Sequence, residues 1–222
     1  MLDVNPRVFE ELEISYKDLT FFKKTKADGL RTAVFVTSQN ENTFGPWPVT
    51  DGLPTIEMHR SLPIDVQVKH IIAMININDI IISNCYPTYE ELNVLGSMRK
   101  DMVTFDVIME ENIQEVEKKI LFEEIHFNRG DISDNMIRST QSRVKYKGYK
   151  FELFNAPKMI KRGDIVIESS EYGHYAGELQ IALTDMKNSG KSNVVGCIRK
   201  EELFILDYIK PWQKFSFKPS TK

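Results

Sequence analysis

The residues best suited to chemistry lie in the loop from Ser38 to Pro54, which is unusually long for a connection between a strand and a helix. Gln39 and Asn40 carry amides that donate and accept hydrogen bonds to sugar hydroxyls, and Trp47 offers a flat apolar ring to a pyranose. In a parallel α/β architecture such a loop follows the C-terminal end of a strand, where these folds bind ligands. Asp3, Asn5 and Asn84 stand at equivalent strand ends and are expected to converge on the same mouth. Asp3 is the candidate catalytic carboxylate. Asn5, just before Pro6, serves equally well as a helix N-cap. A second group lies further on: Arg138, Ser139, Gln141 and Arg143, with Arg129 nearby, form a polar, basic stretch suited to a phosphate or carboxylate.

Other constellations carry less. Glu57 and His59 are two residues apart and point apart on a helix, so they form no ready dyad; His59 reads as a structural hydrogen-bonding residue. His70 sits in an apolar helical stretch and reads as a core histidine. No histidine pair has the i,i+4 spacing of a helical zinc site, so no metal and no cofactor is expected. Asn188-Ser189-Gly190-Lys191-Ser192 imitates the end of a phosphate-binding loop. Asp185 stands where that motif needs glycine, and Asn193-Val194-Val195 reads as strand, so the segment is read as a hairpin turn.

The elements that must position these groups change character along the chain. The first part alternates apolar runs with capped helices. Strands are expected at Leu2–Val4, Thr32–Val36 and Asp79–Ser83, the last of them buried. Helices follow Asn5 and Ser15, begin near Pro63 with Ile64, Val68, Ile71 and Ile75 on one face, and follow the Thr88/Glu91 capping box. This βαβαβα order implies a parallel sheet covered by helices. The second part alternates with period two, at Val103–Val107, Leu121–Phe127, Asp164–Glu168, Glu178–Leu183, Asn193–Ile198 and Leu203–Tyr208. Roughly six or seven short strands in such a span imply a closed barrel or sandwich. The boundary is placed at residues 98–102, giving domains 1–99 and 100–222.

Composition limits the function classes. The 222 residues are 41% hydrophobic and 27% charged, with net charge −3, which excludes wholesale disorder and argues against a nucleic-acid partner held through phosphates. No apolar run approaches the ~20 residues of a membrane helix. Met1-Leu2-Asp3 lacks the basic start of a secretion signal, and the two cysteines, Cys85 and Cys197, have no metal or redox spacing; a cytoplasmic location is expected.

Longer strings carry a resemblance. Residues 44–60, Phe-Gly-Pro-Trp-Pro-Val-Thr-Asp-Gly-Leu-Pro-Thr-Ile-Glu-Met-His-Arg, resemble a strand-to-helix segment of the bacterial 6-phospho-N-acetylmuramidases. So do His126–Asp131, Met136–Arg143, Gly177–Leu183 and Asp3–Leu12. The resemblance implies a (β/α)8 TIM-type barrel followed by a cyclophilin-like β-barrel. It also implies a cytoplasmic glycoside hydrolase that releases 6-phospho-N-acetylmuramic acid during peptidoglycan recycling. Residues 1–30 resemble the middle of that barrel and 31–98 its last two βα units, so several units between are expected to be missing. About three strands cannot close a barrel that takes roughly 250 residues. Open sheet edges suited to self-association are then expected. So is weakened hydrolysis, because Asp3 has only the poorer Glu57 as a partner carboxylate. The alternative is a non-catalytic module that binds a phosphorylated sugar or a protein.

Overall fold

Val34 and Val36 alternate with Ala33 and Phe35, and this period of two makes β1 (Ala33–Val36) a strand with its valines in the core. The computed structural model describes residues 28–45, 52–74, 77–131 and 133–220. The chain divides into two compact units at Lys100/Asp101. The strand expected at Leu2–Val4, the helices expected after Asn5 and Ser15, and Ile75 lie outside the described residues.

In the N-terminal unit β1 leads through a 3-10 turn (Glu57–His59) into α1 (Ile64–Met74), then β2 (Asp79–Ile82) and α2 (Tyr89–Ser97). β1 and β2 pair in parallel, from Ala33 opposite Asp79 to Val36 opposite Ile82. Ile64, Val68 and Ile71, four and three residues apart, put one face of α1 on Val34 and Val36. The capping box of α2 forms as expected: Thr88 Oγ1 accepts from Glu91 N, and a Glu91 carboxylate oxygen accepts from Thr88 N. β2 differs from the expected buried strand. Ile80 and Ile81 are exposed, because among the described residues β2 pairs with β1 alone.

The C-terminal unit is a seven-stranded sheet in the order β4-β11-β3-β10-β7-β8-β5. Its strands are β3 (Val103–Met109), β4 (His126–Phe127), β5 (Met136–Ser139), β7 (Asp164–Glu168), β8 (Leu179–Ala182), β10 (Ser192–Ile198) and β11 (Lys214–Pro219). A separate pair, β6 (Met159–Ile160) with β9 (Met186–Lys187), packs on Val166, Ala182 and Val194 through Ile160. The sheet is nearly a closed barrel. Its edge strands meet where His126 of β4 bonds the Ser139 hydroxyl of β5 at 3.0 Å and Arg129 N donates to Arg138 O at 2.9 Å. Phe105, Phe215 and Phe217 pack in its core, with His126 stacked on Phe215 at 5.5 Å.

Several sequence expectations change in this unit. Leu121–Phe127 is not one strand: α3 (Glu115–Glu123) takes its first part. The buried Glu117, Ile120 and Leu121 repeat at three and four, which a helix satisfies and a strand does not. Leu203–Tyr208 falls within a 3-10 helix, Lys200–Tyr208, whose buried Glu202 accepts from Asp106 N at 3.0 Å. The polar, basic stretch is β5 followed by α4 (Gln141–Lys145). Asn188–Ser192 is a turn, with Gly190 at positive φ and the Asn188 side-chain Oδ1 accepting from Gly190 N. Its arms are not laddered to each other, because β9 pairs with β6 and β10 with β3 and β7.

Candidate functional site

β8 begins with a sharp entry. Gly177 has φ +79° and leaves the space into which the Phe151 ring fits, 2.6 Å from where a methyl group would stand. Only glycine meets both demands cheaply. The turn delivers Glu178 to the interior with no exposed surface. Arg138 on β5, paired across the ladder with Gln180, sends Nε and Nη2 to Glu178 Oε1 at 2.8 and 2.6 Å. Arg143 on α4 brings Nη1 to 3.1 Å from Glu178 Oε2, an ion pair without hydrogen-bond alignment. Tyr175 lies against both guanidinium groups, its ring centre 5.6 Å from Arg138 and 5.2 Å from Arg143. Two guanidinium charges thus meet one buried carboxylate, and both arginine side chains keep about a quarter of their surface exposed (25% and 26%). Two adjacent guanidinium groups, each part buried and part open, suit an anion that brings its own oxygens.

Glu168 on β7 borders this group. Burial pushes its carboxyl above the usual range and the Glu178 charge adds to that, while the Ser192 hydroxyl, 2.6 Å away, and Arg138 pull it down. Ser139, one residue after Arg138, is fully buried and serves the seam. The His126 Nε2 proton goes to Ile120 O at 2.9 Å, which makes Nδ1 an acceptor facing the Ser139 hydroxyl. Burial pulls His126 down to about 4, against the Ile120 carbonyl and Glu124. Gln141 Oε1 is the other neighbour of that hydroxyl, at 3.1 Å. Ser139 and Gln141 therefore brace the strand that presents Arg138.

In the N-terminal unit the strand-end amides are committed to the chain itself. Asn84 is buried and clasps Ser38, accepting from its N at 2.8 Å and donating to its O at 3.1 Å. Asn40 donates to Tyr86 O, and Gln39 to Arg60 O. The carboxylates are committed too. Glu57 holds Arg60, whose guanidinium keeps its carboxyl below the usual range, and Glu91 accepts from the Ser38 hydroxyl and Gln39 N. His59 Nε2 lies 2.8 Å from His70 Nδ1, both rings buried and held neutral. Burial and then the neighbouring ring bring His59 to about 3, and burial brings His70 to about 4. Asp3, Asn5 and Trp47 lie outside the described residues.

Of the expected residues the structure gathers Arg138, Ser139, Gln141 and Arg143 in one place, and in the other unit Gln39, Asn40 and Asn84 around Ser38. Glu178, Tyr175 and Glu168 were not singled out by the sequence. An acid opening an otherwise apolar strand, Glu-Leu-Gln-Ile-Ala-Leu, was the available signal for Glu178.

Residues 103–218 match the family described as 6-phospho-N-acetylmuramidase, C-terminal, and residues 23–97 match its N-terminal counterpart. No curated protein matches the chain. Two solved structures are similar. The crystal structure of an uncharacterized B. cereus protein is 42% identical with TM-score 0.85, over 90% of this chain and 57% of its own. The crystal structure of a conserved Enterococcus faecalis protein with an unknown function is 22% identical with TM-score 0.63, over 98% of this chain and 55% of its own; it speaks to the fold alone. The chain thus spans little more than half the length of the solved structures it matches.

Proposed function

Since the chain belongs to the 6-phospho-N-acetylmuramidase family, we propose that it recognises 6-phospho-N-acetylmuramyl glycosides of cell-wall recycling in the cytoplasm, with hydrolysis much weakened. In this reading the N-terminal unit is a segment of a (β/α)8 barrel and the C-terminal unit a cyclophilin-like barrel. Arg138 and Arg143, two guanidinium groups on one buried carboxylate, carry the assignment. They would hold the phosphate of the sugar through charge-assisted hydrogen bonds. Gln39 and Asn40 remain candidates for the sugar hydroxyls, and Asp3 for the catalytic carboxylate. Glycoside hydrolysis commonly needs two carboxyl groups flanking the scissile bond. Glu57 and Glu91 are both tied to internal partners, which favours binding without efficient chemistry as the second reading. Calorimetry with 6-phospho-N-acetylmuramic acid and its dephosphorylated counterpart tests the proposal. A clear preference for the phosphorylated sugar is expected, and equal affinity for the two overturns it.

A further inference from the structure

Trp212 is 70% exposed and stands on backbone that is unfavourable for it. Lys210–Gln213 form a tight turn closed by Gln213 N on Lys210 O at 3.1 Å, with Pro211 in the second place. The third place has φ +65°, the position such turns normally give to glycine or asparagine, and here it holds tryptophan. A bulky residue at positive φ is an outlier that the surroundings must enforce. They do so from Asn128, whose backbone O accepts from Trp212 N at 2.8 Å and whose side chain donates to Ile209 O.

The ring is placed as deliberately as the backbone. It covers Gly130, where a methyl group would come within 2.6 Å of indole Cε2 and Nε1, so only glycine lets it lie there. Gly130 sits between Arg129 and Asp131, which form an ion pair at 2.6 Å. Arg129 N is bonded to Arg138 O across the barrel seam, and the Asp131 charge reaches the Arg138 guanidinium. A single exposed aromatic needs no explanation by itself. This one is held in a glycine conformation, on a glycine, one residue from the bond that fixes Arg138.

We propose that Trp212 is a stacking platform for the pyranose ring of an amino sugar, set beside the Arg138/Arg143 anion cradle on the C-terminal barrel. The apolar C–H face of the sugar would lie on the open side of the indole, an arrangement that aromatic rings favour. The adjacency to a bound phosphate rests on the reading of the arginines given above; the stacking itself does not.

The full chain contains two tryptophans, so a 15N-labelled sample gives two indole N–H signals, and Trp212→Phe assigns them. N-acetylmuramic acid 6-phosphate and N-acetylmuramic acid should both shift the Trp212 signal, whereas inorganic phosphate should not. Trp212→Gly, which suits the backbone, should weaken both sugars about tenfold, and Trp212→Tyr should recover most of that loss. Arg138→Ala should weaken only the phosphorylated sugar. Unchanged sugar affinity in Trp212→Gly overturns the platform, and so does a Trp212 signal that does not move at millimolar sugar. A platform that takes both sugars equally leaves the stacking in place and removes the phosphate role of the arginines.

Discussion

One oxygen of Glu178 accepts both the Nε and the Nη2 hydrogens of Arg138, at 2.8 and 2.6 Å. The other oxygen of this fully buried carboxylate is left facing Arg143. Arg138 is thus fixed by two bonds, and Arg143 is held by an unaligned ion pair and the Tyr175 ring. Arg143 is the more easily recruited of the two by an incoming anion, and Arg138 is the fixed reference.

Glu178→Gln should destabilise the C-terminal unit by about 3 kcal/mol, since removing one member of a buried charge group leaves the others uncompensated. The double variant Glu178→Gln/Arg143→Met should lose less than the single one. Denaturant unfolding measures both; a single variant as stable as the wild type would remove Glu178 from its structural role.

Replacing Arg138 or Arg143 by alanine should weaken binding of the 6-phosphate by roughly 1.5–3 kcal/mol, the scale of a charge-assisted hydrogen bond. Binding of the dephosphorylated sugar should stay within error. Arg143→Ala should be the milder change in fold stability, because it breaks no aligned hydrogen bond. Calorimetry and thermal unfolding on the same samples separate the two effects.

The units should respond differently to acid. His59 and His70 sit at about 3 and about 4, below their ordinary 6.5, so the unfolded chain takes up protons before the folded one does. Their stabilisation is present above pH 6.5 and lost as pH falls toward 4. In the C-terminal unit His126, at about 4, acts in the same direction, but Glu117 opposes it. Burial raises Glu117 to about 6, so its contribution is full below pH 4.5 and lost as pH rises through 6. Native-state hydrogen exchange, corrected for intrinsic rates, should therefore show residues 57–74 losing protection between pH 6.5 and 4 more steeply than residues 115–126. Equal slopes would contradict the buried, neutral histidine pair.

Turnover of the phosphorylated disaccharide should fall several orders of magnitude below that of an intact family member. Hydrolysis depends on a rigidly placed carboxyl pair, and displacement of about 1 Å can cost a hundredfold. A steady-state rate of about 1–10³ s⁻¹, the usual enzyme range, would show a complete catalytic site.

What could be read from the sequence depended on whether local spacing or distant pairing decided the structure. Thr88/Glu91 and Ile64/Val68/Ile71 are local signals, and both elements stand where they were expected. Leu121 and Leu203 misled because their apolar neighbours also fit a strand, and only the buried Glu117 and Glu202 reveal the helical turns. β5 was hidden because its inward residues are Ile137 and Ser139, the serine being matched to a histidine on another strand. β11 is legible in Lys214-Phe215-Ser216-Phe217-Lys218, a clean alternation with both phenylalanines buried. Glu178 as the counter-ion of two arginines was not legible, since 40 residues separate it from Arg138.

The position of β11 has a consequence for synthesis. Of the described strands it is made latest, yet it lies between β3 and β4 and pairs in parallel with β3, Phe215 opposite Val103. At about 5–20 residues per second, a ribosome leaves the β3 edge without its neighbour for roughly ten seconds after making it. Until β11 is added, β4 has no ladder partner and β3 ends the sheet as an open edge. A polypeptide truncated before Lys214 keeps that edge open permanently, presenting unpaired backbone to chaperones and proteases.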